Sequence, residues 1–416
     1  MTTAVRSLNP FRVLQSHRNF RLFWIGQTLS LVGSWMQTMA IGWLTLQLSD
    51  SAFVVGLVAS IGALPIVVLS MHAGAFVDVS DRLRLVRATQ SIMLVEALVL
   101  WILTWTGHIS IPVLLVLALV QGVCSAVEIP ARQSFIIQLV GRDDLQPAIA
   151  LNSSGFNLAR IVGPALGGLV IARFGIAWCF GFNAVSFIAV LWGLMLIRLP
   201  SPELGESSGT LREFLARSTQ GAADGLRHLM QPGLVRDLLA MVSVGALFGH
   251  PFLTVMPVMA RDRLGTDAGG YGGLLASVGV GGLVGALTIA GPAADWPRGK
   301  LLLVTGIAFP ALLVLFSQTT NLTTAHTLLF LIGVVLIAFS ALSNSMLQLL
   351  TPDAFRGRLM AFYSLVYVGL SQAVGSLAIG ALSKWVGVDT AIAVFAAITL
   401  GYAALTFVRS PHLIEL

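Results

Sequence analysis

Long apolar stretches alternate with short polar segments along the whole of this chain. Each stretch is about 20 residues long, which is the length that an α-helix needs to cross roughly 30 Å of hydrocarbon. About twelve of them can be counted, half in each half of the chain. The pattern predicts an all-α membrane protein with about twelve transmembrane helices. The predicted spans begin near Phe20, Ala52, Leu85, Ile111, Pro147, Ile176, Val235, Gly270, Leu301, Thr324, Arg358 and Val388.

The second span and the polar segment after it recur later in the chain. Residues 56–78 align with residues 273–295 at one constant offset and without a gap. Parallel halves of this kind are typical of transporters, so we expect one six-helix half in residues 1–199 and another in residues 235–416. The matched pairs are Gly56 and Gly273, Leu57 and Leu274, Ala59 and Ala276, Ser60 and Ser277, Gly62 and Gly279, Ala73 and Ala290, Gly74 and Gly291, and Asp78 and Asp295.

Residues 200–234 are predicted to form a cytoplasmic linker between the halves, because the segment opens with several Pro, Gly and Ser residues. Apolar residues then recur at helical spacing with charged residues between them, which indicates an amphipathic helix on the membrane surface. A connector without a specific function is the alternative. The apolar positions are Leu211, Phe214, Leu215, Ala222, Leu226 and Leu229.

Composition agrees with a membrane protein, since 56% of the residues are hydrophobic, 10% are charged and the mean hydropathy is +0.89. The net charge of +6 could indicate a nucleic-acid partner. The basic residues, however, gather on one side of the predicted membrane, and four of them fall on the other. This asymmetry follows the positive-inside rule, so it predicts a multi-pass protein of the inner membrane with both termini cytoplasmic and no nucleic-acid partner. The four exceptions are Arg173, Arg261, Arg263 and Lys384.

The loop between the second and third spans carries Gly74, Asp78, Arg82 and Arg84. With the two six-span halves, this motif resembles the major facilitator superfamily over nearly the whole chain. Asp81 stands where the family motif has a second Gly. We expect Gly74 to permit close helix approach, and Asp78 to accept hydrogen bonds from the amides at a helix start or to pair with Arg, which would latch the cytoplasmic side. Asp295 and Arg298 form a weaker copy, and the alternative is that these charges only set the topology.

The fifth span carries Gly163, Pro164, Gly167 and Gly168. They resemble the glycine-proline motif that the exporters of the superfamily carry in this helix, although Ala159 stands where that motif begins with Gly. Small residues let helices pack closely and Pro164 permits a bend. The resemblance implies export, and simple helix packing is the alternative.

The region from the fourth to the sixth span resembles the branch that contains enterobactin-type siderophore exporters and macrolide efflux proteins. The resemblance implies a monomer that transports a bulky, partly apolar small molecule. Ala118 replaces the Arg that many proton-coupled exporters have before the pair Gln121 and Gly122, so that proton-coupling assignment does not transfer. The residues that carry the resemblance are Pro130, Arg132, Leu139, Val140, Leu145, Ala148, Ala150, Leu151, Asn152, Asn157, Arg160 and Asn183.

Four ionisable residues of the first half fall inside predicted spans: Glu96, Glu128, Arg132 and Arg160. Each costs about 2.5 to 3.5 kcal/mol near the bilayer centre, so each must be paired or face a wet cavity. Glu128 and Arg132 are one helical turn apart and share a face. We therefore predict that Glu128 binds and releases a proton as its pairing with Arg132 or Arg160 changes. Glu96 could pair with a basic residue, and a purely structural network is the alternative for all four.

Five polar residues are candidates for a cargo pocket, although hydrogen bonds between helices explain each of them equally well. One of them, His250, precedes Pro251, which predicts a bent helix. A His at such a position is more often a packing residue than a ligand. The five candidates are Gln37, Asn157, His250, Asn344 and Gln372.

Enzymatic functions find little support in the sequence. It lacks a phosphate-binding glycine loop followed by Lys and Ser or Thr, and it lacks a His pair at the spacing of metal ligands. Cys124 and Cys179 fall in predicted spans and are interpreted as packing residues. We expect a transporter without a cofactor or metal site, and an importer, a lipid-type flippase or a non-transporting receptor or scaffold of the same fold remain alternatives.

Overall fold

The computed structural model describes residues 11–197, 233–293 and 295–415. The described part of the chain forms twelve long helices, which follow the short helix Arg12–Ser16. The predicted linker and its amphipathic helix fall largely in residues 198–232, outside the described residues. The long helices are α1 (Arg18–Ser49), α2 (Ala52–Asp78), α3 (Arg82–Trp105), α4 (Ile111–Val140), α5 (Leu145–Phe174), α6 (Ala177–Met195), α7 (Leu234–Arg263), α8 (Ala268–Ala290), α9 (Arg298–Gln318), α10 (Leu322–Leu350), α11 (Phe355–Val386) and α12 (Val388–Arg409).

This architecture confirms the predicted all-α membrane fold, and the predicted span starts lie within a few residues of the helix starts. Eleven of the helices, α2 to α12, are long and apolar enough to cross a membrane. Helix α1 has 32 residues and is also long enough. Buried polar residues such as Gln27, Ser30 and Gln37 interrupt its apolar sequence.

Within each half, successive helices run in opposite directions because short loops join them, and the contact of Asp50 with Arg261 places the ends of α1 and α7 at the same end of the bundle. The bundle therefore has two ends, which we call the terminal face and the opposite face. The sequence predicts that the terminal face is cytoplasmic. The terminal face holds Arg18, Arg82, Val140, Arg298 and Arg409, and the opposite face holds Ser49, Trp105, Phe174, Gln318 and Val386.

Glycines let two pairs of helices approach closely where the first six helices meet the last six. On α2, a Cβ atom at Gly56 would collide with Ser376 O and lie 3.2 Å from Gly380 Cα of α11. On α8, a Cβ atom at Gly272 would lie 2.5 Å from Pro164 O and 3.1 Å from Gly168 Cα of α5. The two contacts are equivalent, so the structural counterpart of Gly56 is Gly272. The sequence alignment, which matched Gly56 with Gly273, is one residue out of step at this contact.

The halves also meet through side chains near the opposite face. Arg261 Nη2 lies 2.5 Å from Asp50 Oδ1, and the rings of Trp43 and Tyr271 stack at 5.8 Å. Near the terminal end of α2, by contrast, the Cβ position of Gly74 has no neighbouring atom within 4 Å. The side-chain contacts between Asp50 and Arg261 and between Trp43 and Tyr271 therefore join the halves near the opposite face.

Helices α7 and α11 are irregular where they pack against each other. In α7 a π-helical turn, Gly245–Gly249, is followed by a 3-10 turn, His250–Leu253, because Pro251 has no N–H to donate. Helix α11 contains a long π segment, Leu365–Gly375. Ser371 Oγ donates to Ala246 O at 2.6 Å, so side chains satisfy backbone groups at these breaks. The predicted break at His250 and Pro251 is present.

Candidate functional site

The glycine-proline motif of α5 packs against two helices at once. On one side, a Cβ atom at Gly163 would lie 2.6 Å from Trp35 Cβ, and one at Gly167 would lie 3.2 Å from Met36 Cγ, both of α1. On the other side, Pro164 and Gly168 contact α8 in the second half. The motif therefore joins the two halves, and the packing alternative accounts for its small residues in this conformation.

The loop after α2 differs from the prediction at Gly74 and at Asp81. Gly74 does not support close helix approach here, because its Cβ position has no neighbouring atom within 4 Å. Asp81, which replaces the Gly of the family motif, accepts hydrogen bonds from the amides of Leu83 and Arg84 at 3.0 and 3.2 Å. The amides that start α3 are thus capped by Asp81. The side chain of Asp78 lies outside the described residues, so its latch role stays a prediction.

The basic residues of the two loop motifs make local contacts. Arg84 is exposed and pairs with Asp81 at 3.2 Å, and Arg82 Nε is buried without a hydrogen-bond partner among the described residues. In the second half, Asp295 is exposed, and Arg298 Nη1 lies 3.4 Å from Ser345 Oγ of α10. The second copy therefore contacts its own half.

Glu96 lies in a buried hydrogen-bond network that joins three helices of the first half. Gln37 Nε2 of α1 donates to Glu96 Oε2 at 3.0 Å and to Oε1 at 3.2 Å. Asn183 Nδ2 of α6 donates to Gln37 Oε1 at 2.8 Å, and Ser186 Oγ lies 3.0 Å from Asn183 Oδ1. The partner of Glu96 is thus an amide instead of the expected basic residue. Gln37 has an exposed fraction of 0%, so its place in a cargo pocket does not fit this structure.

Glu128 and Arg132 form a second buried group, between α3 and α4. Arg132 Nε lies 3.2 Å from Glu128 Oε1, at ion-pair distance. The angle does not suit a hydrogen bond, and Arg132 Nε and Nη1 are buried without a hydrogen-bond partner in the described part of the chain. Gln90 Nε2 donates to Glu128 Oε1 at 3.4 Å, a long contact. The predicted pair is present, and its hydrogen bonds are incomplete.

Arg160 lies elsewhere, against the second half. It stands near the middle of α5, and its Nη2 would be 3.1 Å from a Cβ atom at Gly282 of α8. It is also close enough for electrostatic interaction with His250 of α7 and Tyr367 of α11. Arg160 Nε is buried, and within the described ranges it has no hydrogen-bond partner. Its contacts place Arg160 with the second half, whereas Glu128 is paired within the first.

Aromatic and polar side chains of the second half form a connected group next to Arg160. The rings of His250 and Tyr367 are 4.5 Å apart, and those of Tyr363 and Tyr367 stack at 5.1 Å. Tyr367 hydrogen-bonds to Ser340 of α10. We call this group the Arg160 cluster, and it consists of Arg160, Gly282, His250, Ser340, Tyr363 and Tyr367.

Three remaining pocket candidates have different environments. Asn344 is hydrogen-bonded to Tyr363 and to Gln348. With Gln348 and Arg356 it lines a cavity of about 530 Å³ in the terminal part of α10. Asn157 is half-buried and donates to Ser153 O, and Gln372 is exposed. The structure thus brings Asn344 and His250 to the same side of the second half.

Sequence reasoning missed several members of these groups. Gln90 is a polar residue inside a predicted span, but nothing in its spacing identifies it as a partner of Glu128. Tyr363 and Tyr367 are one helical turn apart, which is the signal that could have identified them. In the described residues no group of three or more His, Cys, Asp or Glu could hold a metal ion, and Cys124 and Cys179 are free and buried.

The fold and a matching family model together identify a multi-pass membrane transporter of the major facilitator superfamily. The chain belongs to the transmembrane secretion effector family, whose model matches residues 6–414. That family contains transporters, which excludes an enzyme as the interpretation.

Two relatives and one solved structure show what the chain is similar to. It is 28% identical to the multidrug efflux pump Tap of Mycolicibacterium fortuitum over 351 residues, covering 83% of each chain. It is 25% identical to the enterobactin exporter EntS of Shigella flexneri over 371 residues, covering 89% of this chain and 86% of the relative. A crystal structure of a variant of the nucleoside transporter NupG has the same fold, with a TM-score of 0.73 at 13% identity over 94% of this chain and 99% of that one.

Proposed function

We propose that this transporter exports a bulky small molecule, such as a siderophore or a drug, by alternating access, and that protons drive the export. Relatives named as a drug efflux pump and as an enterobactin exporter support export of such a cargo. The halves meet through close contacts at Gly56 and Gly168, and alternating access would require these contacts to open and close.

The observation that carries proton coupling is the incomplete pairing of Glu128 and Arg132. The two residues are 6% and 9% exposed, and their charges are 3.2 Å apart. Because two Arg132 nitrogens lack hydrogen bonds, the guanidinium is not fixed to one partner and can reorient when Glu128 gains a proton. Protonation of Glu128 would remove the ion pair and change the packing of α3 against α4.

The proton gradient is sufficient for this task. One proton crossing about 100 mV provides roughly 2.3 kcal/mol. A tenfold concentration ratio corresponds to about 1.4 kcal/mol, so one proton supports a cargo gradient of roughly fifty-fold. This magnitude suits a secondary exporter.

Export is the proposed direction because two relatives are named as an efflux pump and as an exporter. The terminal face carries most of the basic residues and is therefore predicted to be cytoplasmic. An exporter must load its cargo from this face. Release would require the contacts near Gly56 and Gly168 to separate and the terminal ends of the helices to meet.

The experiment measures accumulation of labelled siderophores, macrolides and cationic dyes in cells that lack their own pumps. Cells expressing the chain should accumulate at least one compound about tenfold less than control cells, and an uncoupler should abolish the difference. Glu128→Gln should also abolish it at equal surface expression, because the amide does not release a proton.

Glu415→Gln is the matched control, since it makes the same chemical change at an exposed carboxylate near the C-terminus. It should export like the original chain. Full, uncoupler-sensitive export by Glu128→Gln would contradict the coupling role. Absence of flux for every compound would favour an importer, a lipid-type flippase or a non-transporting receptor.

A further inference from the structure

Arg160 is a half-buried cation without a carboxylate partner among the described residues. It lies about midway along the 30 residues of α5, so it is near the middle of the membrane. No ion pair of the described chain includes Arg160, and its Nε has no hydrogen-bond partner there. The side chains that it faces, His250 and Tyr367, carry no negative charge when His is neutral and Tyr is protonated.

A guanidinium in this position requires a counter-charge or water, because an isolated charge near the middle of a membrane is costly. We propose that the counter-charge is supplied by the cargo, so that the Arg160 cluster binds the carboxylate or an equivalent oxyanion of an aromatic organic anion. This inference rests on the proposed function and adds the substrate class to it.

The geometry of the cluster suits such a ligand. A guanidinium presents donors in a planar fork that matches a carboxylate, with two parallel hydrogen bonds. Gly282 leaves room for the guanidinium, since a Cβ atom there would lie 3.1 Å from Arg160 Nη2. A larger residue at position 282 would displace the head group from this position.

The neighbouring rings supply the apolar part of the site. Tyr363 and Tyr367 are parallel within 9°, and the His250 ring stands edge-on to Tyr367 at 4.5 Å and tilted to Phe309 at 6.2 Å. An aryl group can stack on such surfaces while its anionic substituent reaches Arg160. The cluster therefore favours an aromatic anion over an aliphatic one.

The location of the cluster also couples binding to the arrangement of the halves. Arg160 belongs to the first half, whereas His250, Gly282 and Tyr367 belong to the second. A ligand held between them would stabilise the halves in one relative position. Cargo binding at this point would thus shift the equilibrium between the inward and outward arrangements.

A matched pair of probes tests the inference. The purified full-length chain in detergent is dialysed to equilibrium against 2-naphthoate or 2-naphthamide, which share a ring system and differ in charge. We expect 2-naphthoate to bind at least tenfold more tightly. Equal affinity of the two probes, or complete displacement of 2-naphthoate by an equal concentration of chloride, would overturn the inference.

Variants test whether the preference for 2-naphthoate depends on Arg160. Arg160→Gln should weaken 2-naphthoate binding at least tenfold and leave 2-naphthamide binding within twofold, whereas Arg160→Lys, which keeps the charge but loses the fork, should retain part of the preference. Arg173→Gln is the control, because it removes an exposed Arg from the last turn of the same helix. Unchanged affinity for 2-naphthoate in Arg160→Gln would refute the assignment.

The binding measurement needs no proton gradient, so its outcome is separate from that of the export assay. Preference for the anion without any cellular export would support the Arg160 site and refute the proposed function, and export without preference for the anion would do the reverse.

Discussion

The first half contains two buried carboxylates whose surroundings differ. Glu96 is 3% exposed and Glu128 is 6% exposed. Glu96 accepts from Gln37, which in turn accepts from Asn183, and these three side chains have no unpaired buried atom among the described residues. Around Glu128, in contrast, the oxygen of Gln90 and two nitrogens of Arg132 are unpaired in the described part.

This difference separates a structural carboxylate from one that can change partners. A complete hydrogen-bond network fixes its members, because every alternative arrangement breaks a bond in a medium of low dielectric. An incomplete network has donors to spare, so a change of protonation state costs less. Burial of an acid, which is what the sequence reveals, does not distinguish the two cases.

The largest effect on stability is expected from Arg132→Gln. It leaves Glu128 buried beside a neutral amide, and removal of one partner of a buried ion pair costs about 3 to 5 kcal/mol. The thermal unfolding midpoint of the purified protein in detergent should therefore fall sharply. The midpoint can be followed by intrinsic tryptophan fluorescence.

The double variant Glu128→Gln with Arg132→Gln is the check on this reasoning. It removes both charges, so it should recover more than half of the lost midpoint. A double variant as unstable as Arg132→Gln alone would mean that Arg132 stabilises the fold by packing instead of by charge.

The next largest effect is expected from Gln37→Ala. Both carboxylate oxygens of Glu96 and the amide of Asn183 would lose their partner, at a cost of about 2 to 3 kcal/mol. Thr38→Ala, at the exposed neighbour on the same helix, should change the free energy of unfolding by less than about 0.5 kcal/mol. Equal effects of the two substitutions would show that the Glu96 network does not stabilise the fold.

The sequence predicts the fold well because membrane spans are long and strongly apolar. The span starts follow from helix length. The predicted break at His250 and Pro251 follows from the missing N–H of proline, and the pairing of Glu128 with Arg132 follows from the i to i+4 spacing. All three rules are local. The orientation of the termini remains a prediction from the positive-inside rule.

The contacts between helices are less predictable because they depend on rotation of each helix about its axis. Spacing alone does not reveal that Gln37 points at Glu96 or that Arg160 faces the second half. The one-residue shift between Gly273 and Gly272 shows the same limit, since it is a small change in sequence register and a rotation of about 100° around the helix. The capping of α3 by Asp81 was also not predicted, because it depends on the local geometry at a position where this chain has Asp and the family motif has Gly.

Transport gives a functional version of the comparison. Glu96→Gln keeps the shape of the side chain and an oxygen that accepts from Gln37, so uncoupler-sensitive export should stay within about twofold of the original rate. In the same assay, Glu128→Gln should lose uncoupler-sensitive export. If Glu96→Gln lost proton coupling and Glu128→Gln kept it, Glu96 would be the proton-binding carboxylate and Glu128 the structural one.

The smallest effect is expected from Gln90→Ala, the counterpart of Gln37→Ala in the second network. The donor of Gln90 is 3.4 Å from Glu128 Oε1 and its own oxygen is unpaired, so the substitution breaks a weak bond and removes an unsatisfied group at once. The two contributions oppose each other, and the free energy of unfolding should change by less than about 1 kcal/mol. A midpoint that falls as far as that of Gln37→Ala would show that Glu128 is held as firmly as Glu96, and the distinction between a fixed and an exchangeable carboxylate would then fail.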